Sequence, residues 1–346
     1  MSDFLTRLPT TDPGLILDLR DRQFAAELIA TALLHLDLFS WLDRNPGVLP
    51  AEVERNFDIA GRPMDVLLTL CRAYGFISSD KTGGVHLTAM GREHLVKGSP
   101  WFLGPYFVPV RDTPVVKGYL GVLKTGKPGN WQAKAGGKDW HESMLEPEFA
   151  REFTELMNSR GLVFGQVLAR DLGPLLGSRR TLLDVGGGSG IYSATLAAAH
   201  PQLRATVLEQ TPVDSVTRSE IARHGLESRV GLFTADMFQG PWPEAEIILL
   251  SNVLHDWDFP EVRQLLEKAA STLPVSGLLV IHDAFIRDDK SGPVAVAEYS
   301  ALLMNITQGK CYTPSELGGI LEELGFTVGS YQDTVAHRGF MTAEKR

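Results

Sequence analysis

The second half of the chain alternates strand-like and helix-like segments, and this alternation constrains the fold more than any other feature. Short apolar runs such as TLLDVG, RATVLE and EIILLSNVL are each followed by a stretch with helical spacing, and GLLVIHDAFI, FTVGSY and GFMTAE continue the series. Strands separated by helices of this length predict a mostly parallel sheet covered by helices on both faces. The sequence therefore predicts an α/β domain after about residue 177.

The first half has helical spacing instead. Residues 14–42 place apolar side chains at three- and four-residue intervals and predict a long helix. Two shorter helices follow, and FISSDKTGGVHLT then predicts two brief strands joined by a Gly-Gly turn, which together are typical of a winged helix. Residues 99–140 are irregular and rich in aromatic, Gly and Pro residues, and Glu148–Leu176 returns to helix. The expected division is a helical winged-helix domain (1–98), a connector that walls a substrate pocket (99–176) and the α/β domain (177–346).

Composition excludes several classes of protein. The 346 residues are 44% hydrophobic, and 33 Lys+Arg against 42 Asp+Glu give a net charge of −9, which disfavours attraction to nucleic acid or anionic lipid. Apolar runs are far shorter than the roughly 20 residues that span a bilayer, and MSDFLTRLP resembles neither a secretory nor a transit leader. Cys71 and Cys311 are too few for a disulfide framework or a cysteine zinc site. We expect a cytoplasmic protein without nucleic-acid or membrane partners.

A glycine-rich loop carries the most functional information. Asp184-Val-Gly186-Gly-Gly188-Ser-Gly follows a predicted strand and opens a helix, where glycines permit a tight turn and close approach to a ligand. The next strand ends at Glu209, where a carboxylate can accept both hydroxyls of a ribose. The third is followed by Asp236, which can face the amine of an adenine, and by Met237, which can pack on its ring. These sites share the sheet edge at which open α/β folds bind ligands.

With these residues the chain resembles the class I S-adenosylmethionine-dependent methyltransferases, and among them the small-molecule O-methyltransferases of the plant caffeic acid type and their bacterial relatives. The resemblance covers most of the chain and includes LLDVGGGSG, ADMF, the Leu254–Asp258 stretch LHDWD and the last helix, LGGILEELGF. It implies a Rossmann-like catalytic domain and an N-terminal domain that forms a homodimer. The residues it implies as contacts of the cofactor S-adenosylmethionine are Arg160, Asp184, Gly186, Gly188, Glu209, Asp236, Met237 and Ser251.

His255, in the HDW element, is the candidate general base. A histidine near its ordinary pKa can take the proton of a hydroxyl acceptor at neutral pH. In the related enzymes two acids orient this histidine. Here Asp283 occupies the first position and is one methylene shorter than the usual Glu, whereas Cys311 occupies the second and supplies no carboxylate. Asp256 is a further candidate to hold the base. A sulfur acceptor, such as a thioether acid, or a carbon acceptor would need no base, so both stay open beside a hydroxyl.

Other interpretations also remain. Tyr106, Met157, Met304 and Asn305 are candidate wall residues of the acceptor pocket, as is Trp131. A metal held by His255, Asp256, His282 and Asp283 matches no zinc signature, and no metal is expected. A winged-helix DNA-binding regulator is the alternative from another class, but its candidate recognition helix, PMDVLLTLCRAYG, offers one Arg. We expect the apolar surplus of the first helices to form a homodimer interface.

Overall fold

The protein is described by a computed structural model over residues 2–129 and 140–346. The chain folds into two units, each assembled from segments that are distant in sequence. The first unit holds residues 2–15, 140–285 and 314–346, and the second holds residues 16–129 and 286–313. These boundaries differ from the three-part division expected from the sequence, which stays a prediction.

The described residues contain helices in both units and strands that form two sheets. The helices are α1 (Ser2–Thr6), α2 (Gly14–Asp21), α3 (Ala25–Leu34), α4 (Leu38–Arg44), α5 (Pro50–Phe57), α6 (Gly61–Ala73), α7 (Ala89–Leu95), α8 (Gly104–Phe107), α9 (Pro114–Thr125), α10 (Trp140–Ser143), α11 (Pro147–Leu172), α12 (Ile191–Ala199), α13 (Val213–Arg223), α14 (Phe259–Thr272), α15 (Val294–Ile306) and α16 (Pro314–Glu323). The strands are β1 (Ile77–Ser79), β2 (Val85–Leu87), β3 (Thr181–Val185), β4 (Arg204–Glu209), β5 (Val230–Thr234), β6 (Ile247–Ser251), β7 (Leu278–Asp283), β8 (Phe326–Val328), β9 (Gln332–Asp333) and β10 (Gly339–Lys345).

The sheet of the first unit has the strand order β5-β4-β3-β6-β7-β10-β8, and β9 pairs with β10. Strands β3 to β7 are parallel to their neighbours, whereas β10 runs antiparallel to β7 and β8. Every residue of β6 and β7 is buried, as expected of parallel strands covered on both faces. The predicted α/β fold is thus confirmed, and the carboxyl ends of five parallel strands meet at one edge.

The second unit is mainly helical. Helix α3 packs against α9, and α15 packs against α6 and α3. Strands β1 and β2 form an antiparallel pair in which Ile77 faces Leu87, in agreement with the hairpin expected for the wing. The short helices α5 and α6 precede this hairpin, as the sequence predicts.

The single long helix expected over residues 14–42 is wrong. The segment contains α2, α3 and the start of α4, which are separated where Phe24 and Asp37 adopt positive φ angles of 73° and 52°. A left-handed residue interrupts the ladder of helical hydrogen bonds. Neither position carries the Gly or Pro that would have indicated a break in the sequence.

Two further expectations need correction. The connector is not irregular throughout, because α9 occupies twelve of its residues; Pro114 begins that helix, and Gly126, with φ 67°, ends it. Helix α15 was not anticipated at all. Its sequence VAVAEYSALLMNI is apolar on most faces, so it lacks the amphipathic period that reveals surface helices, and nine of its thirteen residues are buried.

Within the described residues, no single helix has the length and apolar character needed to cross a bilayer. Only the bent pair Gly14–Leu34 and Leu38–Arg44 meets that test when its two parts are taken together.

Candidate active site

The glycine-rich loop after β3 is shaped by residues that only glycine accommodates well. Gly186 and Gly188 have φ angles of 64° and 57°, in the left-handed region that side chains disfavour. A Cβ atom on Gly186 would lie 3.2 Å from Val253 Cγ2 and 3.6 Å from Met237 Sδ. The loop is therefore flanked by the residues that follow β5 and β6, which are two of the strand ends expected to bind a cofactor.

Glu209, the last residue of β4, is tied to this loop. Its Oε2 accepts the backbone N–H of Gly188 at 3.0 Å, and its Oε1 accepts the N–H of Gln210 at 2.9 Å. Burial raises the pKa of Glu209 to about 7, since the two backbone donors only partly offset the loss of hydration. A carboxylate held in this way at a strand end is suited to accept hydroxyl groups from a ligand.

Asp184, expected among the cofactor contacts, lies beneath the loop, and its contact with the cofactor stays a prediction. It is fully buried, its Oδ2 accepts the hydroxyl of Ser193 at 2.8 Å, and its Oδ1 has no hydrogen-bond partner among the described residues. Burial raises its pKa to about 6. Because a Cβ on Gly187 would lie 2.8 Å from the carboxyl carbon of Asp184, this side chain supports the loop from the protein side.

Asp236 and its neighbours form a turn after β5. Oδ1 of Asp236 accepts the backbone N–H groups of Phe238 and Gln239 at 2.7 and 2.9 Å. The ring of Phe238 meets that of Trp257 edge to face, with centroids 4.5 Å apart. Met237 and these rings provide the apolar surface that an aromatic base needs, beside a carboxylate that is exposed.

His255 lies on a single helical turn after β6, and it is buried. Its Nδ1 is in hydrogen-bond contact with Oδ1 of Asp283, the last residue of β7, and its Nε2 lies 3.7 Å from Oδ1 of Asp256. Burial by itself would raise the pKa of Asp283, but His255 and the N–H of Ala284 keep it below the ordinary value. Burial raises the pKa of Asp256 to about 6, although His255 opposes this. The structure thus brings together the three expected catalytic residues.

Arg160 and Met157 lie on α11, one turn apart, and both are partly exposed. The same helix is joined to the glycine-rich loop, because Asn158 Oδ1 accepts the Ser189 hydroxyl at 2.8 Å. The charge of Arg160 acts on the pKa values of Asp256 and of His282, so its guanidinium lies near both. Its role beside the cofactor stays a prediction.

A buried polar network at the end of β6 was not found by sequence reasoning. Ser251 Oγ lies 2.8 Å from Nδ1 of His282, its partner in the β6–β7 register. Asn252 Nδ2 donates to the Tyr192 hydroxyl at 2.9 Å and to Ser251 Oγ at 3.1 Å. Burial lowers the pKa of His282 to about 3, so this imidazole is neutral. The positive φ of Asn252, 53°, lies in a region that Asn adopts more readily than most residues, and such positions cluster at functional sites.

The remaining candidates belong to the second unit. Tyr106 is 84% exposed, so the chain does not enclose it as a pocket wall. Met304 is buried in α15, and the backbone oxygen of Asn305 accepts the N–H of Gly129 at 2.9 Å. Cys311 is buried, and its N–H donates to Ser300 Oγ at 3.0 Å. Trp131 lies outside the described residues.

No group of three or more His, Cys, Asp or Glu side chains that could hold a metal ion occurs in the described part of the chain. The site instead offers a glycine-rich loop, a carboxylate at the next strand end, an apolar turn and a buried histidine beside a carboxylate. These groups fit a nucleoside that carries a transferable group. The fold and the site define a transferase of the nucleoside-dependent α/β class.

Comparison with known proteins identifies the family. A model of the O-methyltransferase domain matches residues 121–327. The 3-hydroxy-5-methyl-1-naphthoate 3-O-methyltransferase of Streptomyces sahachiroi is 30% identical over 326 residues, which cover 90% of this chain and 89% of that protein. The L-tyrosine C(3)-methyltransferase of Streptomyces lavendulae is 26% identical, over 89% of this chain and 82% of that protein. The chain belongs to the O-methyltransferase family, and the resemblance drawn from its sequence is confirmed.

Solved structures agree. An O-methyltransferase family 2 protein from Planctomyces limnophilus, in complex with apigenin, has a TM-score of 0.87 and 31% identity, and the match covers 99% of this chain and 98% of that one. Human N-acetylserotonin methyltransferase in complex with S-adenosylmethionine shares the fold, with a TM-score of 0.61 and 20% identity over 98% and 99% of the two chains. This protein is a methyltransferase, and its cofactor is S-adenosylmethionine.

Proposed function

We propose that this enzyme transfers a methyl group to a phenolic hydroxyl of a small aromatic acceptor and that His255 takes the proton. The observation that carries the proposal is the contact of His255 Nδ1 with Asp283 at the ligand-binding edge of the sheet. The relatives support the acceptor class, since one is named for a hydroxynaphthoate and a similar structure holds apigenin. Membership of an enzyme family favours this function over a DNA-binding regulator.

Asp283 gives His255 the form that a base requires. A carboxylate that stays ionised accepts the N–H of Nδ1, so the lone pair of the neutral ring lies on Nε2. Nε2 then accepts the acceptor's proton, and Asp283 and Asp256, 3.7 Å from Nε2, stabilise the imidazolium that forms. Two carboxylates near His255 in this chain compensate for the acid that is missing at Cys311.

S-adenosylmethionine supplies an electrophilic methyl group on its sulfonium. We propose that Glu209 binds the ribose hydroxyls and that the turn at Asp236 and Met237 binds the adenine. The cofactor would cross the end of β3 over Gly186 and Gly188. Ser251 and Arg160 would line the part of the site that binds the amino-acid end of the cofactor. Asp184 then acts by holding the loop rather than by touching the cofactor. With the methyl group and the acceptor in line, positioning supplies much of the rate.

The residues proposed for the acceptor pocket are those expected from the sequence. Met157 on α11 and Met304 on α15 offer adaptable apolar surface, which suits an aromatic ring. Asn305 offers a polar anchor. Tyr106 would join the pocket only if another chain covers it, because it is exposed in one chain.

Methylation of a carbon is the second candidate, and it is favoured by the similarity to an L-tyrosine C(3)-methyltransferase. Removal of the phenolic proton also activates the ring carbon beside the hydroxyl, so the same base serves both reactions. After methyl transfer to that carbon, the carbon loses its own proton to solvent, which restores the aromatic ring. The two reactions differ in which atom of the acceptor, the phenolic oxygen or the ring carbon, lies in line with the methyl group.

A homodimer remains part of the proposal. The second unit exposes several large apolar side chains, more than single scattered residues would explain. They are Ile16, Leu19, Trp101, Leu103, Tyr106, Val108 and Val110. A second copy of the chain would cover them, and sedimentation that shows only monomer would contradict this. The cytoplasmic location expected from the sequence stays a prediction.

Incubation with S-adenosylmethionine and a panel of acceptors tests the function. The panel contains hydroxynaphthoic acids, flavonoid phenols and tyrosine, each with its O-methylated counterpart as a matched control that lacks the free hydroxyl. We expect S-adenosylhomocysteine to form only with free phenols, and mass spectrometry with NMR then locates the new methyl group. Turnover of the hydroxyl-free controls would overturn the proposed base chemistry.

A further inference from the structure

The buried polar network at the end of β6 contains an acceptor without a donor. Both amide hydrogens of Asn252 are used, one by Tyr192 and one by Ser251. The amide oxygen Oδ1 therefore points away from these two hydroxyls. It is shielded from solvent and has no hydrogen-bond partner among the described residues. A buried acceptor in this state costs free energy unless something donates to it.

The network holds this amide firmly. Ser251 Oγ bonds the neutral His282 ring at 2.8 Å and also bonds the Tyr192 hydroxyl. Tyr192 packs edge to face on His282, with ring centroids 5.6 Å apart. Groups that contact one another in this way fix the direction of the Asn252 side chain before any ligand arrives, which lowers the entropy lost on binding.

The position of Asn252 in the sheet indicates which part of a ligand it meets. Glu209 ends β4 and Asp236 follows β5, and both lie on one side of β3 in the strand order. Strand β6, followed by Asn252, lies on the other side. A ligand whose ribose is at Glu209 and whose base is at Asp236 must therefore extend its remaining end across Gly186 toward Asn252. For S-adenosylmethionine that end is an amino acid, with an ammonium and a carboxylate group.

The charges around the network indicate where the ammonium and the carboxylate of the cofactor would each bind. The guanidinium of Arg160 acts on the pKa values of Tyr192 and His282, so a cation stands close to the network. A carboxylate pairs with Arg160. An ammonium group has only donors, and the free acceptor is Asn252 Oδ1. Arg160 is partly exposed on a long stem, so a ligand's carboxylate can reach its guanidinium.

We propose that Asn252 accepts a hydrogen bond from the α-ammonium group of the cofactor's methionine moiety, and that Tyr192, Ser251 and His282 hold its amide in the required orientation. The inference rests on the cofactor assignment and goes beyond it, because it assigns recognition of the amino-acid end to a residue outside the glycine-rich loop. Asn252 is thus a cofactor-binding residue, and His282 is a positioning residue.

Calorimetry with two ligands isolates the interaction. S-adenosylhomocysteine carries the amino-acid end, whereas 5′-methylthioadenosine keeps the nucleoside and lacks that end. Asn252→Gly removes the acceptor and suits the positive φ of 53°. We expect it to weaken S-adenosylhomocysteine binding about 10–100-fold, as for a hydrogen bond to a charged group, and to change methylthioadenosine binding less than about twofold. Asn252→Asp keeps an acceptor and should bind S-adenosylhomocysteine within about threefold of the wild type.

Glu209→Gln is the matched control, and it should weaken both ligands by similar factors, because both carry the ribose. Equal losses of both ligands in Asn252→Gly, or unchanged binding of S-adenosylhomocysteine, would overturn the inference. So would an Asp variant as weak as the Gly variant, because the amide N–H rather than the oxygen would then be the contact. Wild-type protein that bound neither ligand would instead overturn the proposed function together with this inference.

Discussion

His282 and Asp283 are consecutive residues of β7, yet their side chains serve different groups on opposite faces of the sheet. Nδ1 of His282 bonds Ser251 Oγ at 2.8 Å, whereas Asp283 contacts Nδ1 of His255. Side chains alternate between the faces of a strand, so one short segment can support two sites. The cofactor side and the base side of the candidate active site are therefore coupled through a strand in which every residue is buried.

Replacement of His255 by alanine tests the base. We expect turnover of a phenolic acceptor to fall at least about 100-fold, since general-base catalysis contributes about that much, while calorimetry finds S-adenosylhomocysteine binding unchanged. His94→Ala, on α7 in the second unit, is the control and should keep normal turnover. If His255→Ala turned over at nearly the wild-type rate, the proposed base would be wrong and the acceptor would be one that needs no base.

Asp283→Asn tests whether the carboxylate sets the tautomer of His255. An amide can donate to Nδ1, which leaves the proton on Nε2 and blocks proton uptake. We expect kcat to fall about 10–100-fold with KM for S-adenosylmethionine unchanged. Asp283→Glu keeps the charge and should recover most of the lost rate, with the pH profile of kcat restored. If Asn and Glu variants were equally slow, the residue would act through packing alone.

The sequence predicted the α/β unit well, because its chemistry lies at strand ends. Gly186 and Asp236 follow strands with a clear apolar pattern, Glu209 ends another, and parallel strands must bring their carboxyl ends to one edge. His255 was predicted for the same reason. The spacing of strands and helices in the chain thus determines where these groups meet, whatever the details of packing.

Other features depend on contacts between distant residues and left no local pattern. The break at Phe24 occurs at a residue with no preference for the left-handed region, and Asp37, which adopts that region more readily, stands in an otherwise helical pattern. Tyr192, Asn252 and His282 form one network only because Tyr192, near the start of α12, reaches the ends of β6 and β7. A histidine within LLVIHDAF could not be assigned to either face of its strand until the strand's neighbours were known.

Asp184 should make the stability of the ligand-free protein depend on pH. Its pKa is about 6 in the folded protein against 3.8 for an unperturbed aspartate, so between these values the folded state keeps a proton that the unfolded state has lost. The stabilisation from this group is complete below about pH 4 and is lost as the pH rises to 6, by at most ~3 kcal/mol. Asp184→Asn, which has no charge to bury, should therefore melt at an increasingly higher temperature than the wild type as the pH rises from 4 to 7.

Ser193→Ala provides the opposite test, because the Ser193 hydroxyl favours the ionised form of Asp184. Its removal should steepen the fall in melting temperature over the same pH range. Differential scanning calorimetry at several pH values measures both variants. A difference between wild type and Asp184→Asn that stays constant from pH 4 to 7 would show that Asp184 does not titrate as described.

Close packing of α11 on α12 is expected to depend on Gly165. A Cβ atom there would lie 2.5 Å from Thr195 Oγ1, and Thr195 is buried and bonded to backbone oxygens of its own helix. Gly165→Ala should lower the free energy of unfolding by about 1–3 kcal/mol, the usual effect of overpacking, and lower the urea midpoint accordingly. Gly319→Ala, in α16, meets nothing within 4 Å and should be neutral or stabilise by up to about 1 kcal/mol, because alanine favours helix. If both variants shifted the urea midpoint upward, α11 and α12 would be less closely packed at Gly165 than in this structure. Close contact of these two helices would then not be what holds Arg160 near the glycine-rich loop.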